Sequence, residues 1–290
     1  MTKGLLLTLL TTIVLLFVAC SQPTPDNRER TNVAATTVMP EAGFVYTADE
    51  RSNSISVIDL SSGQVKDIAT RVSPHNVQVS LDGRLLLAVG AIAMDTAQGG
   101  RDHSTMGEME RGRLLIFDTG TMSAEGATEI EVGREPAHVV VDGQNRLAYV
   151  TNAMDNNLSV VDLQQKKVVA TIPTGTMPHG LRLSPGEREI YVANVSDNSV
   201  SVIDITRSKE VTRIPAGKAP AQVGFTPDGR RVYVSLRDEN SVAVIDVAQR
   251  KKIATVAVGH NPIQVFATPD GRYVYVANQG TETNPATPCR

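Results

Sequence analysis

Five histidines stand in this chain of 290 residues, and four of them lie beside a proline. His75 and His179 directly follow Pro74 and Pro178, His138 lies two residues after Pro136, and His260 lies two before Pro262. Arg134 and Lys218 hold that same place, two before a proline, elsewhere in the chain. Imidazole ligates metals and titrates near neutral pH, and guanidinium and ammonium groups attract anions. The fifth histidine, His103, shares a stretch with Met94, Met106 and Met109. Thioether and imidazole together suit copper(I). The stretch has no tight ligand spacing, so a polar loop is the favoured account of it and the copper site the alternative. Either set becomes a site only if the fold gathers residues that the sequence scatters.

The elements that must do the gathering are repeated. Tyr149, Tyr191, Tyr233 and Tyr275 are spaced 42 residues apart, as are Pro136, Pro178, Pro220 and Pro262, and Asp162, Asp204 and Asp246. Tyr46 and Asp59 keep the 13-residue offset of Tyr149 and Asp162. Each copy reads as four short strands, as in Gln222–Phe225, Arg231–Val234, Ser241–Asp246 and Lys252–Val256. Pro-Asp-Gly at 227–229 and 269–271 has the chemistry of a tight reversal. The third strand is almost wholly apolar, as a sheet covered on both faces requires. Four strands in about 40 residues, with no amphipathic helix between them, predict an all-β fold, a β-propeller rather than a solenoid. In a propeller the starts of the innermost strands surround one channel mouth. The histidines are predicted to converge there.

Tyr149-Val150-Thr151-Asn152 matches the signature of the YVTN β-propeller repeat, with Tyr191-Val192-Ala193-Asn194 and Tyr275-Val276-Ala277-Asn278 as close variants. Residues 43–280 thus resemble that YncE-like family. The resemblance implies the fold and leaves the task open, because one fold hosts many functions. Members of the family often close at seven blades. Five third strands are counted here, ending in Asp59, Asp118, Asp162, Asp204 and Asp246, and the last copy stops after Asn278. The expectation is an incomplete seven-bladed ring, a C-terminally truncated form. A true five-bladed ring is the alternative. Residues 43–290 are assigned to the repeats, with an insertion at about 91–109 between the second and third strands of one blade.

Residues recurring in every blade are read as parts of the blade. The aspartates ending the third strands are predicted to cap turns through backbone N–H groups rather than to act as catalytic carboxylates.

The N-terminus reads as an export signal over residues 1–19, with Lys3 before an uncharged apolar run too short to span a bilayer comfortably. Phe17-Val18-Ala19-Cys20 resembles a lipobox, which implies a bacterial lipoprotein with its lipid on Cys20. Residues 20–42, carrying Pro23, Pro25 and Pro40, read as the lipidated cysteine and a flexible tether of about 25 Å. The implied location is the periplasm or cell surface, lipid-anchored, with the outer membrane favoured where one exists. Two cysteines exclude a disulfide framework, and a net charge of −3 gives no pull toward nucleic acid.

The chain contains no Cys-x-x-Cys-His, Gly-x-Ser-x-Gly or His-Glu-x-x-His motif and no phosphate loop. The reading is a non-catalytic binding or interaction module of the cell envelope. Its ligand sits at the channel mouth on His75, His138, His179, His260, Arg134 and Lys218. Its partner is a small anion or an unidentified envelope protein. The runner-up is a redox or metal-handling propeller, with copper or a haem d1-like group as cofactor and with His103, Met94, Met106 and Met109 as further ligands. A propeller hydrolase such as a lactonase is the third reading.

Overall fold

The computed structural model describes residues 43–93 and 111–280. They form six consecutive antiparallel sheets, and no α-helix occurs among the described residues. The first sheet contains β1 (Phe44–Asp49), β2 (Ser54–Asp59) and β3 (Val65–Ala69). The second contains β4 (Val72–Val79), β5 (Leu85–Ile92), β6 (Arg111–Asp118) and β7 (Thr128–Arg134). The third is β8 (Pro136–Val141), β9 (Leu147–Asn152), β10 (Asn157–Asp162) and β11 (Lys167–Pro173). The fourth is β12 (Pro178–Leu183), β13 (Glu189–Asn194), β14 (Ser199–Asp204) and β15 (Lys209–Pro215). The fifth is β16 (Pro220–Phe225), β17 (Arg231–Leu236), β18 (Ser241–Asp246) and β19 (Lys251–Ala257). The last pairs β20 (Pro262–Ala267) with β21 (Val274–Asn278).

Each sheet is a meander in which sequence neighbours pair. The predicted strands are therefore found at their places. β5 and β6 have 8 residues each, against 6 for the equivalent strands of the third and fourth sheets. His103, Met94, Met106, Met109 and Cys20 lie outside the described residues.

Cores form between successive sheets rather than within one. Ile55 and Val57 pack with Leu86, Ala88 and Phe117 between the first and second sheets. Leu87 and Leu114 meet Val139 and Val150 between the second and third. Tyr149 and Leu158 meet Leu181 and Ile190 next, and Tyr191 and Val200 meet Val223 and Val232 after that. The apolar third strand is explained by this arrangement: five of the six residues of β14 and of β18 are buried. Burying such a side chain on both faces of a sheet stabilises by about 1.5–3 kcal/mol each.

The repeated aspartates cap turns, as predicted. Asp162 Oδ1 accepts from the backbone N–H of Gln164 at 3.0 Å and of Gln165 at 2.8 Å. Asp59, Asp118, Asp204 and Asp246 do likewise with Ser61, Gly120, Arg207 and Gln249. The Pro-Asp-Gly reversals need a residue free to take positive φ, and Gly229 and Gly271 both sit at +68°.

Candidate functional site

The first strand of each complete sheet is its inner strand. β4 packs beside β8, β8 beside β12, β12 beside β16 and β16 beside β20. β8, β12, β16 and β20 begin at a proline, β4 carries Pro74 as its third residue, and each strand is bulged directly after its proline. Pairing slips between Pro74 and Asn76, Pro136 and Val139, Pro178 and Leu181, Pro220 and Gln222, and Pro262 and Gln264. A bulge leaves an extra residue unpaired and re-aims side chains. Here the re-aimed positions are the first and second after each proline, where His75, His138 and His179 stand.

The motif threonine holds this geometry. The Thr151 hydroxyl accepts from the His138 N–H at 3.0 Å and donates to the His179 carbonyl in the next blade at 2.7 Å. Ser235 makes the same bridge between Gln222 N–H at 3.0 Å and the Ile263 carbonyl at 3.4 Å.

The three imidazoles converge. Ring centroids are 5.8 Å apart for His75 and His138, 5.2 Å for His75 and His179, and 4.6 Å for His138 and His179. One ligand atom from each ring lies within 4.8 Å of the other two. His75 Nε2 and His179 Nε2 are 3.1 Å apart. These two residues belong to the second and fourth sheets. Stacked repeats touch only their neighbours. A contact that skips a blade therefore identifies a shared axis.

Each ring has a fixed partner. His75 Nδ1 donates to Glu50 Oε1 at 3.2 Å. His179 Nδ1 donates to the Ala221 carbonyl at 2.9 Å. His138 Nδ1 faces the Gln222 amide nitrogen at 3.4 Å, and Gln222 Oε1 is held by the Val223 N–H at 2.9 Å. Gly180 makes this reach possible: a Cβ there would stand 2.3 Å from Gln222 Oε1 and 2.5 Å from the Ala221 carbonyl.

His138 is 3% exposed, His179 is half-buried and His75 faces solvent. Burial holds His138 well below the ordinary histidine value, with the neighbouring His179, His75 and Arg182 adding to the effect. His179 is lowered to about 4 by burial first and by His75 second. Both are therefore neutral at pH 7 and carry lone pairs rather than charge. That favours ligation over anion recognition by imidazolium.

Three of the six predicted channel residues are brought together and three are not. Arg134 pairs with Asp155 at 2.6 Å. Lys218 is exposed, its backbone N–H held by Glu239. His260 is exposed, its carbonyl accepting from Gly280. Between each of these residues and the following proline stands a residue at positive φ: Glu135 at 48°, Ala219 at 49°, Asn261 at 51°. The chain reverses there, so a side chain two before the proline does not share the direction of one after it.

Sequence reasoning missed Glu50, Gln222, Thr151 and Gly180. Gln222 and Gln264 occupy the repeat position of His138, and comparing that position across blades is the signal that marks them. Elsewhere, a cavity of about 450 Å³ opens beside β3, β6 and β7, lined by Ala69, Thr70, Arg71, Leu115, Phe117 and Glu129. It lies away from the imidazoles.

Radially arranged four-stranded sheets with polar groups meeting at their axis define a β-propeller. Residues 132–272 match the model of the YNCE-like beta-propeller family, to which this part of the chain is similar. Among solved structures, the chain is similar to a chain of Kuenenia stuttgartiensis hydrazine synthase at 28% identity and a TM-score of 0.60. That match covers 72% of this chain and 56% of the hydrazine synthase chain, so this chain spans little more than half of that relative. A functionally unknown protein from Desulfotomaculum acetoxidans DSM 771 shares the fold, with 18% identity and a TM-score of 0.65 over 82% of this chain and 73% of that one. No curated protein matches. The family is typically exported, and among the described residues no helix is long and apolar enough to cross a membrane.

Proposed function

We propose that the chain is a binding module of the bacterial cell envelope, with its ligand held at the channel mouth by His75, His138 and His179. One observation carries this reading. Three side chains that depart from the repeat, drawn from three blades, point at one another across the axis. Residues serving the blade recur in every blade, whereas the position of His75 and His179 holds Ala137, Ala221 and Ile263 elsewhere, and that of His138 holds Gln222 and Gln264.

The hydrazine synthase chain extends well beyond the part matched. The proposal therefore rests on this chain's own imidazoles and borrows no activity. The module is held to its membrane by a lipid on Cys20, with residues 21–42 as the tether.

Native mass spectrometry of protein purified from its own envelope tests the binding role. The wild-type chain is expected to carry a mass beyond the polypeptide and its lipid, and the His138→Ala/His179→Ala double variant is expected to lack it. Identical spectra for the two overturn the reading. Metabolic labelling with a fatty-acid analogue tests the anchor: label is expected on the wild type and absent from Cys20→Ala. Label retained by that variant overturns it.

A further inference from the structure

Tautomers at the site follow from partners that can only accept. The Ala221 carbonyl and the Glu50 carboxylate have no proton to give, so His179 and His75 each carry their hydrogen on Nδ1. That leaves both Nε2 atoms turned inward, and they face each other at 3.1 Å. Two acceptors at hydrogen-bond distance with no donor between them repel. The 3.1 Å spacing is favourable only with a metal ion or a proton between the two nitrogens.

This is also the pattern by which proteins prepare imidazole ligands. A carboxylate or backbone carbonyl takes the far N–H, fixes the ring and raises its basicity. Glu50 and Ala221 stand in those places. Two nitrogens about 2.0–2.1 Å from a tetrahedral ion lie about 3.3 Å apart, close to the spacing seen. His138 supplies the third nitrogen. One of its ring nitrogens lies within 4.8 Å of those of His75 and His179, and its contact to Gln222 is long at 3.4 Å.

We propose that His75, His138 and His179 form a three-imidazole site for a divalent transition-metal ion of the zinc–copper class, with a fourth position open toward solvent on the His75 side. Imidazole sets suit zinc and copper, and three protein ligands with one open place match sites that exchange or present a ligand rather than purely structural ones. This rests on the channel-mouth reading and names its ligand. Glu50 and Ala221 act as positioning groups, and Gln222 steers His138.

The test uses the full chain stripped by a chelator and then titrated with Zn²⁺ or Cu²⁺ alone, read by calorimetry and by metal content after desalting. One equivalent with Kd below about 1 μM is expected, with nitrogen hyperfine lines in the Cu²⁺ electron paramagnetic resonance spectrum. His138→Ala and His179→Ala are each expected to weaken binding at least about 100-fold. Glu50→Gln, an exposed change that leaves the fold intact, is expected to weaken it about 10-fold. Absence of a stoichiometric site in the wild type overturns the metal assignment, as does binding that Glu50→Gln and both histidine variants leave unchanged. A proton shared by His75 and His179 would fill the same gap, and it predicts that first result. If no metal binds while the envelope-purified protein still carries its additional mass, the metal assignment fails and the binding module stands. If neither is found, both fail.

Discussion

Tyr191 and Tyr275 occupy the same place in the repeat, yet one is 0% exposed and the other 67%. Tyr191 lies in the core between the fourth and fifth sheets, with Phe225 edge-on at a centroid distance of 5.0 Å. Tyr275 lies on the two-stranded sheet β20–β21, where Phe266 and Tyr273 are also exposed. Strand β19 is exposed at every residue, whereas its equivalents β11 and β15 are each buried at one position. The local sequences are nearly alike. What differs is whether the face of another sheet covers them. A blade residue is thus stabilised by its neighbour more than by its own strand, as in other repeat arrays.

The comparison breaks most visibly at the tyrosines. Tyr191→Ala is expected to cost about 3–5 kcal/mol in urea unfolding, since it empties a closed core. Tyr275→Ala is expected to change stability by less than about 0.5 kcal/mol. Similar costs for the two would refute the role given to the covering sheet.

Amide exchange sharpens the same contrast. Amides of β12–β14 are expected to exchange at least about 100-fold more slowly than those of β20–β21, measured by mass spectrometry. Equal protection would place β20–β21 in the same cooperative unit.

A smaller effect is expected at the hydroxyl bridge. Thr151→Val keeps the shape of the side chain and removes its bonds to His138 and His179. It should cost about 1–2 kcal/mol, while the matching Ser235→Ala, with its 3.4 Å bond, should cost less.

The smallest effect is read by alkaline titration. Burial pushes Tyr149 up to about 12, with Asp142 and Glu187 adding to it, and burial pushes Tyr191 up to about 12, with Glu189 adding. Their folded values lie above the unfolded value near 10. Their contribution is therefore complete below pH 10 and is lost as pH rises from 10 to 12. Absorbance at the phenolate band should show these two ionising late and together with unfolding, and phenylalanine at either position should reduce that late step. Ionisation of all six tyrosines in one step near 10 would contradict the buried positions.

The repeat made the strands, turns and capping aspartates legible, because each blade solves the same packing problem with the same residue types. Burial at the last sheet was not legible, since Tyr275 looks like Tyr191 until its neighbours are placed. The site divides in the same way. His75, His138 and His179 stood out as departures from the repeat, and the bulge after each proline gathers them. Arg134, Lys218 and His260 stood equally close to a proline. A reversal at Glu135, Ala219 and Asn261 separates them from the axis, and positive φ at glutamate or alanine carries little sequence signal. Glu50 was hidden for another reason. It sits in a single 3-10 turn of the first sheet and meets His75 only through the ring geometry.

Because the three imidazoles come from three different sheets, a ligand that gripped them would also rivet those sheets together. Its binding energy would add to the resistance of β4–β15 against coming apart, by an amount that grows with its free concentration. Tearing any one of the three from its fellows would release it, so occupancy would double as a gauge of whether the hub is intact.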